Sequence, residues 1–274
     1  MHVISSKVCT KSDFQASWFH SWRRSMQCYR ANGIQLGKAF LHRKEWEFVM
    51  VCQALEERGL LQPGSRGIGF AVGTEPLPAL FAGRGCEILA TDYVDDSGGT
   101  WAGLWAKDKN ALCYPDLCLP DLFEKNTQFQ RVDMTAIPDN ITGYDFSWSC
   151  CAFEHLGNLQ RGIDFLENQM KCLKSGGWAI HTTEYNLLSD DTTLQSGPTV
   201  VYRRRDIQQL IQRMKQLGHY VEAVDFSHGD QMEDFFIANK PWDDTSRNLA
   251  HLRVVIGQYV CTSIVLIMQK GPAV

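Results

Sequence analysis

Residues 67–82 read GIGFAVGTEPLPALFA. Its first six residues, Gly67-Ile68-Gly69-Phe70-Ala71-Val72, form an apolar run of buried-strand length. Gly73 then allows a tight turn, and Pro76 stands where a helix tolerates proline, in its first turn. A buried strand passing through a glycine turn into a helix is the repeating unit of a parallel α/β sheet.

The same unit recurs downstream. Residues 86–90 read as a second strand ending in Thr91-Asp92-Tyr93, 129–133 as a third, 144–149 as a fourth and 178–182 as a fifth. Residues 220–226 and 260–268 read as a sixth and a last strand. Between them, Asn158 can cap a helix whose apolar stripe is Leu159, Ile163, Leu166, Met170 and Leu173. A later helix carries Ile207, Leu210, Ile211, Met214 and Leu217 and is closed by Gly218. Upstream, 43–57 reads as a helix ended by Gly59, and Phe14, Trp18, Trp22 and Tyr29 follow a helical spacing. The expectation is a doubly wound α/β fold of Rossmann-like type. Its sheet has seven mostly parallel strands, with an antiparallel strand at the C-terminal end. One domain spans 1–274: an N-terminal helical or lid segment at 1–42, a binding core at 43–184, and a substrate-side segment with a terminal hairpin at 185–274.

Composition narrows the function. With 44% hydrophobic and 21% charged residues the chain can bury a normal core. A net charge of −4 gives no basic surface for nucleic acid, so none is expected as a partner. Arg203, Arg204 and Arg205 make a local basic spot that reads more simply as a helix start. The ten cysteines contain no CxxC pair, so free buried thiols in a reducing compartment are expected, with no metal. No apolar run approaches a membrane span or a signal-peptide core, and a cytoplasmic location is expected.

In open α/β sheets, ligands bind outside the carboxyl ends of the strands. The polar residues at those ends are therefore the candidates. The turn Ala71-Val72-Gly73-Thr74-Glu75 lets backbone amides approach a ligand. Asp92 ends the second strand, where a carboxylate can accept from both ribose hydroxyls. Asp133-Met134 ends the third, where one residue can recognise an adenine amine and the other cover its face. An acid at a strand end also reads, singly, as a loop-starting residue.

Together these segments resemble class I S-adenosylmethionine-dependent methyltransferases. Residues 67–82 resemble their first motif, TDY at 91–93 their second, and DMTAIP at 133–138 their adenine-contacting segment. YDFSWSCCAFEHLGN at 144–158 is similar to their fourth strand, and LKSGGWAIHTTE at 173–184 to the helix and fifth strand that follow. The likeness covers about 64–184 well and continues more loosely to 270. Departures cluster in the first turn. Ala71 and Glu75 stand where the family has glycines, and Gly69 where an acid often ends the strand. A side chain at Glu75 is expected to strain a turn that needs positive φ.

The resemblance implies S-adenosylmethionine as cofactor, held by Ala71, Gly73, Thr74, Glu75, Asp92, Tyr93, Asp133, Met134, Ser149 and Cys150. For a hydroxyl acceptor a base is needed, and His155, His181 and Glu184 are candidates at strand ends. His155 reads equally as a helix-start residue holding Glu154, and His181 as a core histidine. Trp101, Trp105, Tyr185, Tyr202 and Arg203 are the candidate substrate residues, with aromatic faces for a ring or sugar and Arg203 for an anion. The expected acceptor is a small polar molecule or a glycan-type group. Two other readings stand beside this one: a degenerate, non-catalytic module of the same fold, and a nicotinamide-dependent oxidoreductase. The sequence does not give the oligomeric state.

Overall fold

The computed structural model describes residues 4–26, 30–31, 34–35, 41–93, 105–238 and 250–272. In chain order its elements are β1 (Ser6–Val8), α1 (Ser17–Ser25), β2 (Arg30–Ala31), β3 (Ile34–Gln35), α2 (Arg43–Glu57), β4 (Arg66–Gly69), α3 (Leu77–Gly83) and β5 (Glu87–Asp92). There follow α4 (Pro120–Asn126), β6 (Thr127–Arg131), β7 (Tyr144–Cys150), α5 (Leu159–Gln169), β8 (Leu173–Asn186) and α6 (Arg204–Gln216). The last are β9 (Tyr220–Val221), β10 (Val224–Asp225), β11 (Ile237–Ala238), β12 (Arg253–Ile256) and β13 (Tyr259–Gln269).

The main sheet runs β10-β1-β13-β8-β7-β4-β5-β6. Strands β8, β7, β4, β5 and β6 pair in parallel, and β13 lies antiparallel between β8 and β1. This is the mostly parallel α/β sheet with an antiparallel C-terminal strand that the sequence predicts. Period-two alternation sorts its side chains between two cores. On β13, Val265 and Ile267 join the core that contains α1, α2 and α3. Their neighbours Ile264, Leu266 and Met268 join the core under α5 and α6.

Differences lie at the sheet's far edge. The expected strand at 220–226 splits in two: β9 pairs antiparallel with β13, while β10 pairs parallel with β1. β1 was not expected. Three residues are too few to show a period, and only pairing with β13 and β10 makes them a strand. The main sheet therefore has eleven strands among the described residues, against the seven expected.

Helix signals translate more directly. Asn158 caps α5 by accepting the Arg161 amide at 2.9 Å. Gly59 and Gly218, just beyond α2 and α6, adopt positive φ. Trp22 and Phe19 of α1 are buried, and the Trp22 indole donates to Gln53 of α2 at 2.8 Å. Tyr29 lies outside the described residues. The nine described cysteines are free thiols. No described helix is long and apolar enough to cross a membrane.

Candidate active site

The chain goes from β4 to β5 and β6 on one side, then returns to β7 on the other side of β4. A crevice forms where strand order reverses in this way. Here a cavity of about 480 Å³ opens at the carboxyl ends of β4, β5 and β7, within the usual size range of small-ligand sites. Its walls include Ala71, Val72, Gly73, Glu75, Asp92, Tyr93, Asp133, Met134 and Cys150. Nearly the whole expected cofactor set is thus brought to one place. Thr74 and Ser149 are the exceptions. The Thr74 carbonyl accepts from Tyr114 at 2.6 Å, and the Ser149 hydroxyl is buried against His181 at 2.8 Å.

The turn after β4 is built differently from expectation. Positive φ falls on Ala71 (+49°) and Gly73 (+52°), not on Glu75. The strain expected at Glu75 is therefore carried by Ala71, whose Cβ pays a cost that glycine avoids. The turn is held from β5. Asp92 Oδ2 accepts the amides of Gly73 at 3.0 Å and Ala106 at 2.9 Å, and Oδ1 accepts that of Tyr93 at 2.8 Å. Burial pushes the Asp92 carboxyl up to about 6, with these three amides opposing the shift.

Glu75, Trp148 and Gly69 form one unit. Gly69 lacks a side chain, so the Trp148 indole of β7 packs directly against the β4 backbone. From there Trp148 Nε1 donates to Glu75 Oε1 at 2.5 Å. The missing acid on β4 and the extra acid in the turn are thus two ends of one arrangement bridged by an indole. Burial pushes Glu75 up to about 8, against its hydrogen bonds with Trp148 and Cys150, so it is mainly protonated at neutral pH.

That shift has a stability consequence. The folded state keeps a proton that an unfolded glutamic acid, near 4.5, has released. The stabilisation is complete below about 4.5 and is lost as pH rises towards about 8, at about 1.4 kcal/mol per pH unit. Glu75→Gln keeps the shape and the bond to Trp148 but carries no proton to lose. Urea unfolding across this window should show a shallower decline in the variant, by about one proton's worth. Equal slopes would mean that Glu75 is already ionised when folded.

The base candidates separate. His155 lines the cavity. Its Nδ1 lies 2.9 Å from the Pro198 carbonyl, which can only accept, so Nδ1 carries the proton and Nε2 the lone pair. Burial lowers its pKa to about 4 and keeps the ring neutral. His181 lies in the strand interior beneath Phe165, lowered by burial to about 3, and does not line the cavity. Glu184 also stays off the cavity wall, ion-paired at 2.7 Å with the buried guanidinium of Arg43.

Of the substrate candidates, Trp105 lines the cavity, and Trp101 lies outside the described residues. Tyr185 packs on Phe226, away from the opening. Tyr202 is buried with its hydroxyl 3.3 Å from the Leu159 carbonyl. Arg203 is engaged within the chain: it binds Asp206 at 2.8 Å and the Asp191 carbonyl at 2.7 Å.

Sequence reading missed two cations of the lining, Lys44 on α2 and Arg161 on α5, and the thiol of Cys151. One signal was available. The helix 43–57 opens RKEWE before its apolar body, and Arg43, Lys44, Glu45 and Glu47 are all buried. Four buried charges in one helical turn require partners from elsewhere.

No family model and no curated protein matches this chain. Methyltransferases recur among the solved structures similar to it. Magnesium protoporphyrin IX methyltransferase from Synechocystis PCC 6803, solved with bound SAH, is 11% identical over 95% of this chain and 98% of that one, with a TM-score of 0.48. The methyltransferase domain of bacterial CtHen1 is 13% identical over 83% of this chain and all of that one, at 0.49. The [4+2]-cyclase SpnF is 16% identical over 64% of this chain, at 0.44. The chain spans 58% of the cyclase and 53% of a similar protein from Galdieria sulphuraria. The likeness concerns the fold alone.

Proposed function

We propose that the chain transfers a methyl group from S-adenosylmethionine to an oxygen or nitrogen of a small polar or glycan-type acceptor. The observation that supports this most is one cavity shared by the glycine turn after β4, Asp92 after β5 and Asp133-Met134 after β6. The donor set suits that cofactor. Asp92 Oδ1 accepts a single amide and has capacity for a ribose hydroxyl. Val72 and Met134 are buried and give apolar walls for a purine. The cofactor supplies an already activated methyl group, so the protein's task is to hold the acceptor in line with it. His155, alone among the three base candidates on the cavity wall, is assigned the proton of the acceptor. The free thiols support a reducing, cytoplasmic setting.

Calorimetric titration with S-adenosylhomocysteine, NAD and NADP tests this reading. Binding to the first alone is expected. Asp92→Ala should weaken it about 10- to 100-fold, the worth of a hydrogen bond to a charged group. Asp92→Asn, which keeps an acceptor for the Gly73 amide, separates ribose binding from turn integrity. Binding of a nicotinamide nucleotide would favour the oxidoreductase reading. Binding of none would favour a non-catalytic module.

A further inference from the structure

Beneath the cavity floor, Cys151, Glu154 and Glu184 bring a sulfur and two carboxylate oxygens within 4.8 Å of one another. They come from three places: the residue after β7, the short turn before α5, and the end of β8. All three are buried. The carboxylates share a pattern. Thr183 Oγ1 donates to Glu154 Oε2 at 3.0 Å, while Glu154 Oε1 has no hydrogen-bond partner and faces His155 Nε2 at 3.9 Å, beyond hydrogen-bond reach. Arg43 Nη2 pairs with Glu184 Oε1 at 2.7 Å, while Glu184 Oε2 has no partner. Each acid is thus fixed through one oxygen and leaves the other orphaned in a site where an unpaired acceptor is costly. Metal-binding carboxylates have this arrangement, with the second oxygen held by an outer partner.

We propose that Cys151, Glu154 and Glu184 form a binding site for a zinc-type divalent cation. The Cys151 thiol donates to Glu47 Oε1 at 3.1 Å, and zinc bound at the sulfur would take the place of that proton. Sulfur in the donor set selects zinc over magnesium or calcium. The donors need to close slightly to reach the ~2.0–2.3 Å of zinc bonds. Cys151 also lines the cavity, which gives the ion an entry path. Three protein ligands leave a fourth position for an outside oxygen, the pattern of zinc sites that do chemistry. The site departs from the sequence expectation of no metal, and it stands independently of the methyl-transfer reading.

The test uses untagged, chelator-treated protein titrated with zinc and, separately, with cobalt. One equivalent of zinc should be retained through gel filtration, and cobalt should give a thiolate charge-transfer band in the near ultraviolet. Cys151→Ser should abolish the band. Glu154→Gln should weaken zinc retention at least about tenfold, the lower end of losses at metal-site partners. Cys113→Ser, outside the cluster, should change neither. Wild-type protein that keeps no zinc and shows no band would overturn the site and leave the two acids sharing a proton. So would retention undiminished in both cluster variants. The readouts on wild-type protein decide the matter even if a variant fails to fold.

Discussion

Gly69→Ala is expected to cost the protein about 3 kcal/mol or more, at the upper end of over-packing effects. A Cβ there would meet Trp148 Cζ2 in a clash, Val72 Cγ1 at 2.6 Å and Trp148 Cε2 at 2.7 Å. These are not flexible ends that can swing aside. The indole is fully buried and packs edge-on against Phe81 at 5.1 Å, and its N–H is committed to Glu75. Relief requires β4 and β7 to part, or the indole to leave Glu75 as a buried carboxyl without its donor. In a chain of this size roughly 2–4 °C of melting temperature goes with each kcal/mol, so a fall of roughly ten degrees is expected by calorimetry. Combined with Trp148→Leu, the loss should be clearly less than additive, because the two changes share one contact. A wild-type melting temperature in Gly69→Ala would show that the indole is not seated on β4.

Arg43→Ala is expected to cost about 3–5 kcal/mol, the range for removing one partner of a buried ion pair. Arg43 has no exposed surface. It pairs with Glu184 at 2.7 Å and Glu47 at 3.4 Å, and donates to Ser263 at 3.0 Å. Glu47 is held further by Lys44 at 3.2 Å and by the hydroxyls of Thr182 and Ser263. Helix α2 is thereby tied to β8 and β13 by charge rather than by apolar contact alone. Removing the guanidinium leaves carboxylates buried with one cation among them. Arg43→Met restores the volume without the charge. If charge is the cause, its urea midpoint should fall almost as far as that of the alanine variant. Recovery in Arg43→Met would assign the loss to packing. Against a total stability of about 5–15 kcal/mol, either result is easily measured.

The central strands and their order of appearance were legible because each is an apolar run punctuated by glycine, proline or an acid. The cavity residues at those strand ends followed from the same punctuation. What stayed hidden depends on contacts between distant segments. The pairing of Glu75 with Trp148 joins positions 73 residues apart, and neither side chain announces the other. Parity in the long strand β8 held more than was used. Thr182 and Glu184 share one face, towards Glu47 and Arg43 of α2, while His181 and Tyr185 share the other, towards Phe165 and Phe226. Counting by twos from Ile180 puts His181 on the opposite face, and the packing of Phe165 over that face makes it a core histidine. The buried charges of α2 resisted reading for another reason. A helix beginning with Arg, Lys and Glu looks solvated unless its partners on β8 and β13 are known.

The position of β13 has a consequence for biosynthesis. This strand, at Tyr259–Gln269, lies between β8 and β1 and is paired along nine residues of β8. Both neighbours leave the ribosome well before it does. Until it arrives, β8 presents a long edge with unsatisfied amides and carbonyls, and the earlier Ser6–Val8 segment has no neighbour on that side. Open edges of this kind invite pairing with other chains. Completion of the sheet thus awaits the synthesis of Tyr259–Gln269. A nascent chain stalled before residue 259 would hold the cavity-forming strands β4 to β7 without the strand that closes the sheet behind them.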